Sequence, residues 1–272
     1  MLRPRSGSSA KAVLLTILGE YVLPAGGTVW TQTLVDALAT LGVEEKNARQ
    51  AMSRLAKQGL IAGTRTGRRV RWQLTTAGTE LLTTGTARIY GFGSTGGRWD
   101  GRWLVVLLPA GDEERGLRQI LRRRLGFLGF GFVGAGVALT PHVDREAQAV
   151  TVLKELGWAE SAVVLRADLG DLTPVHDLVH RAWDLDELSD RYRAFTRSFD
   201  GRRVVDDRHA FAALTRLVHE WRGFPFIDPE LPDELLPAEW PGRRAKALFD
   251  DRHVRWSPPA MTFFAGLEAA SA

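Results

Sequence analysis

Residues 44–74 constrain the fold of this chain more than any other stretch. In Glu44–Gln58, Ala48, Ala51, Met52 and Leu55 recur at helical spacing and predict an apolar face turned to a core. Lys46, Asn47, Arg49, Gln50, Ser53 and Lys57 fall mostly on the opposite side, and Arg54 joins the basic set. Arg, Asn, Gln and Ser are side chains that can read base edges in a major groove. After Gly59, the run Ile61–Leu74 reads as a short hairpin turning at Thr66-Gly67, where glycine tolerates a positive φ. Arg65, Arg68, Arg69 and Arg71 then sit on or near a narrow projection that can reach phosphates or the minor groove.

The upstream segments complete a winged helix-turn-helix over residues 1–85. Val13, Leu14, Ile17, Leu18 and Tyr21 give Lys11–Leu23 a helical period, and Pro24 stops it. Thr28–Trp30 is a short strand or the entry to a second helix, Thr31–Leu41, and Gly42-Val43 makes the tight turn before Glu44. Charge agrees with this reading. Residues 1–85 hold 11 Lys+Arg against 5 Asp+Glu, net +6, and the remainder holds 25 against 27, net −2, which recovers the chain's +4. Basicity confined to one third is the footprint of a single domain that meets a polyanion.

The length of 272 residues suits two or three small domains. With no cysteine, the chain cannot use disulfides, zinc-thiolate sites or thiol catalysis, and it fits a reducing cytoplasm. No apolar run approaches the ~18 residues that span a bilayer. Met1–Ser9 is basic, small and expected to be disordered. Thr83–Gly97 is rich in Gly, Ser and Thr and reads as a linker, placed at 86–98, with a short ordered piece at Arg88–Tyr90. Strands at Trp103–Leu108, Phe130–Leu139 (broken by glycine) and Ser161–Asp168, with helices at Glu113–Leu125 and Ala147–Leu156, suggest a ferredoxin-like domain over 99–172 whose last strand is not visible. Residues 173–272 read as a helical domain with candidates at His176–Trp183, Asp186–Phe199, Arg208–Gly223 and Arg243–Val254. Asp184 or Asp186 is placed to cap the second of these, and the tail from Pro258 is expected to fray. The fold class is therefore α+β.

Several strings resemble chemical motifs and are weak. Gly129–Gly134 spells G-x-G-x-x-G, but it follows an arginine-rich helix and precedes a strand, the reverse of a dinucleotide site. It reads as a helix-to-strand turn packed closely at glycine. His176 and His180 share a helical face without a third ligand, and no metal site is expected. Arg118, Arg122, Arg123 and Arg124 are either a second nucleic-acid patch or a solvated face paired with Asp112, Glu113 and Glu114. His219-Glu220 reads as structural.

The chain resembles the PaaX family of bacterial repressors from about Lys11 to Arg255. The matching residues are Leu14–Tyr21, Asn47–Leu55, Gly67–Arg69, Trp99–Trp103, Ala182–Leu185, His219–Pro232 and Trp240–Arg244. The resemblance implies a winged helix, a Cas2-like middle domain and a helical C-terminal domain in a homodimer. It also implies repression of an aromatic degradation operon, with release from DNA by phenylacetyl-CoA or a similar acyl-CoA thioester and no other cofactor. Cas2 nucleases carry an acidic residue after the first strand. Here Leu107-Leu108 is followed by Pro109-Ala110, so the middle domain is expected to dimerise or transmit a signal rather than catalyse. An acyl-CoA site should join arginines to aromatic walls. Trp221, Arg222, Phe224, Trp240, Arg243 and Arg244 have that composition. The alternatives are a metal-dependent nuclease and a constitutive DNA-binding protein.

Overall fold

The computed structural model describes residues 9–93, 99–109 and 115–272. The expected disorder at residues 1–8, the end of the expected linker at 94–98, Ala110 and the acidic run at 112–114 lie outside the described residues. The chain divides into two compact units. One comprises Met1–Phe92, Phe195–Arg222 and Lys246–Ala272, and the other Gly93–Ala194 and Gly223–Ala245.

The first unit opens with α1 (Ala10–Ile17), whose Ser9 hydroxyl accepts the Ala12 N–H. A π-helical turn, Leu18–Val22, extends it. Then follow β1 (Thr28–Trp30), α2 (Thr31–Thr40), α3 (Glu45–Lys57), β2 (Ile61–Thr66) and β3 (Arg69–Leu74). The strands form an antiparallel sheet in the order β1-β3-β2. This is the element order and pairing expected of a winged helix-turn-helix. Ala48, Ala51, Met52 and Leu55 are the buried positions of α3, as its period predicted. Gly67 turns the hairpin at φ +61°.

Next comes α4 (Thr76–Gly91), which takes in residues 86–91 of the expected linker. Its glycines and threonines are poor helix formers, so local propensity does not explain it. Thr75 caps it by accepting the Gly78 N–H (3.0 Å), Leu82 is buried, and the Tyr90 hydroxyl donates to Glu20 in the π-helical turn. Tertiary anchoring of this kind outweighs a weak helical propensity.

Two later helices complete this unit's core, α9 (Asp207–Trp221) and the end of α10 (Pro241–Ser271). Tyr21 lies 4.9 Å from Phe211 of α9 and 5.1 Å from Phe264 of α10, ring to ring. Thr215 donates to the Phe211 carbonyl, so the Tyr21 hydroxyl is the donor to Thr215 at 3.0 Å. The expected fraying from Pro258 does not occur. Pro258 and Pro259 each lack an N–H and cost a helix interior several kcal/mol, yet α10 runs on to Ser271. Burial of Trp256, Ala260 and Phe264 offsets that cost.

In the second unit the strands β4 (Arg102–Leu107), β5 (Gly131–Val133), β6 (Val137–Thr140) and β7 (Val163–Asp168) pair in the order β5-β6-β4-β7, all antiparallel. With α5 (Arg115–Phe127) and α6 (Glu146–Glu155) this is a β-α-β-β-α-β ferredoxin-like sheet. The single glycine-broken strand expected at Phe130–Leu139 is two strands joined by a turn, which supplies the missing fourth strand. The core gathers Leu104, Val106, Leu121, Leu125, Phe130 and Trp158. The helices α7 (Val175–Ala182) and α8 (Leu185–Phe199) follow, and Asp184 caps α8 by accepting the Glu187 N–H at 2.9 Å. The boundary between the units falls inside α8 and inside α10.

The G-x-G-x-x-G string is a turn. Gly129 has φ +80°, and a Cβ on Gly131 would stand 2.5 Å from the Trp183 ring. Gly131→Ala should therefore cost about 1–3 kcal/mol of stability through overpacking. Gly85→Ala, in mid-helix with open space around it, should add about 0.5–1 kcal/mol. Urea denaturation of both variants checks the contrast, which equal shifts would contradict.

Candidate nucleic-acid interface

The outer face of α3 is built from Lys46, Asn47, Arg49, Gln50, Ser53, Arg54 and Lys57, all exposed. Arg54 and Lys57 lie in the last turn, where the helix dipole favours cations. Arg49 donates to Glu45 at 2.7 Å, with the two side chains 52% and 61% exposed. An exposed pair of this kind is worth about 0–1 kcal/mol. Arg49 can therefore exchange Glu45 for a base edge or a phosphate at little cost.

The four arginines of the hairpin do not form one projecting cluster. Arg68, at the tip, is exposed and has no ion pair among the described residues. Arg65 folds back and donates to the Gly67 carbonyl at 3.1 Å. Arg69 and Arg71 are two apart on β3 and so share a face, and that face is occupied. Arg69 donates to the Ser271 and Ala272 carbonyls at the end of α10. Arg71 donates to Thr28 at 3.0 Å, stacks 5.2 Å above the Trp30 ring, and lies 4.0 Å from the Glu268 carboxylate. Glu268 and Trp30 carry no sequence signal for this role, because Glu268 and Arg71 are separated by about two hundred residues.

The six residues read as an effector site are divided between the units, and five of them make packing or hydrogen-bond contacts within the chain. Trp221 is 1% exposed, stacks 4.7 Å from Phe249 and donates its indole N–H to the Ile89 carbonyl. Arg222 donates to the Ala12 carbonyl (2.8 Å) and to Thr16 (3.1 Å). In the other unit, Phe224 stacks on Tyr192 at 4.2 Å, and buried Trp240 meets Tyr192 edge-on at 5.8 Å. The Tyr192 hydroxyl donates to Asp228, and burial pushes that carboxyl up and the phenol up with it. Arg243 is held by Asp233 (2.8 Å) and the Ala238 carbonyl, while Arg244 is exposed. The His219–Pro232 motif is thus a packing signature. Asp228 fixes the Glu230 N–H at 2.6 Å, Glu230 has φ +56°, and Arg145 bonds the Glu230 carboxylate at 2.9 Å.

The acidic run 112–114 expected to partner the arginines of α5 lies outside the described residues, and within them these arginines have other partners. Arg118 donates to the Pro109 carbonyl and lies over Trp158, Arg122 donates to the Gly134 carbonyl and lies over Phe132, and Arg124 pairs with Glu155. Arg123 is exposed. It lies with Arg124 beside a cleft of about 750 Å³ between α5 and α6, walled by Phe127, Leu128, Val152 and Phe226. Phe127 and Phe226 are 39% and 56% exposed and 5.6 Å apart, ring to ring. No sequence pattern signals this cleft, since Phe127 and Phe226 lie ninety-nine positions apart. His176 and His180 are exposed on α7, and no group of three or more His, Cys, Asp or Glu side chains is placed to hold a metal among the described residues. No described helix is long and apolar enough to cross a membrane.

A helix with an exposed base-reading face beside an arginine-tipped hairpin is the build of a DNA-binding transcription regulator. Three family models match in succession, the PaaX-like protein over residues 9–78, the PaaX protein central Cas2-like domain over 96–179 and the PaaX-like protein C-terminal domain over 183–266. The chain belongs to the PaaX family. It is 29% identical over 271 residues to the transcriptional repressor PaaX of Escherichia coli K12, spanning 96% of this chain and 83% of that one. A solved structure of an uncharacterized protein from Mycobacterium tuberculosis shares the fold, with a TM-score of 0.63, 22% identity, and coverage of 97% of this chain and 98% of the other.

His219 sits within this framework as a structural base. One ring nitrogen lies 3.1 Å from the Thr16 hydroxyl, and burial, reinforced by the Arg222 charge, pulls its pKa from the ordinary 6.5 down to about 4. The folded protein keeps this imidazole neutral, whereas the unfolded chain protonates it near 6.5. Its contribution is therefore complete above about pH 6.5 and lost as pH falls toward 4. Wild-type stability in urea should fall across that window, and His219→Gln should flatten the fall. An equally steep decline in the variant would assign the loss to other groups.

Proposed function

We propose that this chain is a cytoplasmic, dimeric, ligand-responsive repressor without enzymatic activity. In this reading the segment 1–85 binds operator DNA, 99–172 dimerises or transmits the signal, and 173–272 completes the regulator. The observation that carries the reading is the outer face of α3, where seven exposed side chains, Lys46, Asn47, Arg49, Gln50, Ser53, Arg54 and Lys57, are suited to bases or phosphates and Glu45 alone is acidic. Asn47, Arg49, Gln50 and Ser53 read bases, while Lys46, Arg54 and Lys57 hold phosphates. Arg65 and Arg68 at the wing tip reach the backbone, and Arg69 and Arg71 add to them once freed from α10. A single winged helix reads only a half-site, so useful specificity needs two copies.

The relative's name, a transcriptional repressor, supports the sign of the regulation. The regulated genes are proposed to be an aromatic, phenylacetate-type degradation operon, and the effector an acyl-CoA thioester such as phenylacetyl-CoA. An effector acts by favouring one state of the protein, and its leverage is its differential affinity. Of the arginine-bearing regions, the α5–α6 cleft fits such a ligand better than Trp221, Arg222, Phe224, Trp240, Arg243 and Arg244 do. Its volume is in the range of ligand pockets, and two exposed aromatic rings stand beside two arginines.

Arg49→Ala or Gln50→Ala should weaken operator binding by about 1–3 kcal/mol and spare random DNA. Arg68→Ala should weaken both and flatten the log–log salt dependence by about 0.9. Fluorescence anisotropy on the two duplexes reads both effects, and equal losses from the α3 variants would remove them from base reading. For the effector, Arg123→Ala with Phe226→Ala should keep operator binding but lose release by phenylacetyl-CoA. Release at the wild-type concentration would place the ligand elsewhere.

A further inference from the structure

The end of α10 brings a carboxylate to the base of the wing. The Oε2 of Glu268 accepts from the Thr33 hydroxyl at 2.7 Å and from the Trp30 N–H at 3.2 Å. Those two donors, at the end of β1 and the start of α2, fix the carboxylate in place. Its other oxygen, Oε1, is buried without a hydrogen bond and lies 4.0 Å from the Arg71 guanidinium. Arg71 is turned toward it by the Thr28 hydroxyl and by the face of Trp30. Two positions earlier, Arg69 donates to carbonyls at the end of the same helix. Two of the four wing arginines thus face acceptors on one helix end, while Arg68 faces none among the described residues.

We propose that Glu268 is an intrachain competitor of DNA phosphate for Arg71, so that the docked end of α10 sets how much of the wing's charge is available to the duplex. This rests on the wing touching DNA. Three observations favour competition over passive packing. The carboxylate is anchored by neutral donors, so it does not need the arginine to stay in place. Its unsatisfied oxygen is the one aimed at Arg71. The guanidinium at 4.0 Å feels the charge without a hydrogen bond to the carboxylate, so a phosphate that draws it away along its half-exposed side breaks only the neutral Thr28 hydrogen bond and the stack on Trp30. Undocking the end of α10 would release Arg71 and Arg69 together, and docking it would withdraw both.

Glu268→Gln tests the proposal, because the amide oxygen still accepts from Thr33 and Trp30 while the charge is gone. The variant should bind operator and random duplex alike about two- to fivefold more tightly, the scale of one exposed ion pair. Its salt dependence should steepen by about 0.9 in log–log terms, because Arg71 then neutralises one more phosphate. In an Arg71→Ala background the same substitution should change nothing. Weaker binding by Glu268→Gln would show that the carboxylate holds the wing in its DNA-binding position and would overturn the competition. An unchanged affinity and slope would overturn it as well, provided Arg68→Ala still flattens the slope. If Arg68→Ala leaves the slope unchanged, the wing does not touch the backbone and both readings fall. Glu268→Ala, followed by urea denaturation, separates loss of the anchor from loss of the charge. A variant that is destabilised yet binds as Glu268→Gln does would support the proposal, and one that is destabilised and binds as wild type would overturn it.

Discussion

The burial of Tyr21 organises the first compact unit. Its ring lies between Phe211 and Phe264, and its hydroxyl is used by Thr215 in an environment that pushes the phenol well above its ordinary range. A buried aromatic contributes a large apolar area, and a buried hydroxyl must find a partner. Both requirements are met by helices that enter the chain some two hundred residues later. The π-helical turn that extends α1 is therefore packed by α9 and α10, and these add to the core that α1 shares with α2 and α3. A second link repeats the pattern. Glu20 accepts from Tyr90 and lies 2.8 Å from His253, joining the π-helical turn, α4 and α10. Such a shared core makes the position of the wing a property of the last helix as much as of the hairpin.

That coupling changes the meaning of the wing. An arginine-rich hairpin read in isolation offers four equivalent cations to phosphate. In the folded chain, Arg68 is open, Arg65 is tied to its own turn, and Arg69 and Arg71 face the end of α10. The outer face of α3 is different, since its one ion pair among the described residues is the exposed pair between Arg49 and Glu45. In the proposed function, base reading thus falls to α3 alone, and backbone holding to α3, β3 and α10 together.

The family's long proline-rich motif has a comparable explanation. His219–Arg222 serve one unit and Phe224–Pro232 the other, each through buried rings, a capped turn and carbonyls that arginines satisfy. Arginine beside tryptophan looks like a ligand site in sequence because the same residue types that hold a phosphate also satisfy backbone carbonyls in a crowded turn. The α5–α6 cleft, by contrast, sets two exposed phenylalanines beside Arg123 and Arg124.

The sequence by itself determined whatever depends on local period and local charge. The apolar positions of α3, the glycine turn of the hairpin, the capping by Asp184 and the order of most strands and helices in the middle sheet all follow from spacing within a few residues. The tertiary structure decided the rest. It made Thr76–Gly91 a helix despite weak propensity, carried α10 through Pro258 and Pro259, and split Phe130–Leu139 into a hairpin. It also set Glu268 against Arg71. In each case the energy comes from interactions between segments far apart in the chain, such as buried rings, a carboxylate between donors and a ring packed on glycine, and no local window of sequence contains both partners.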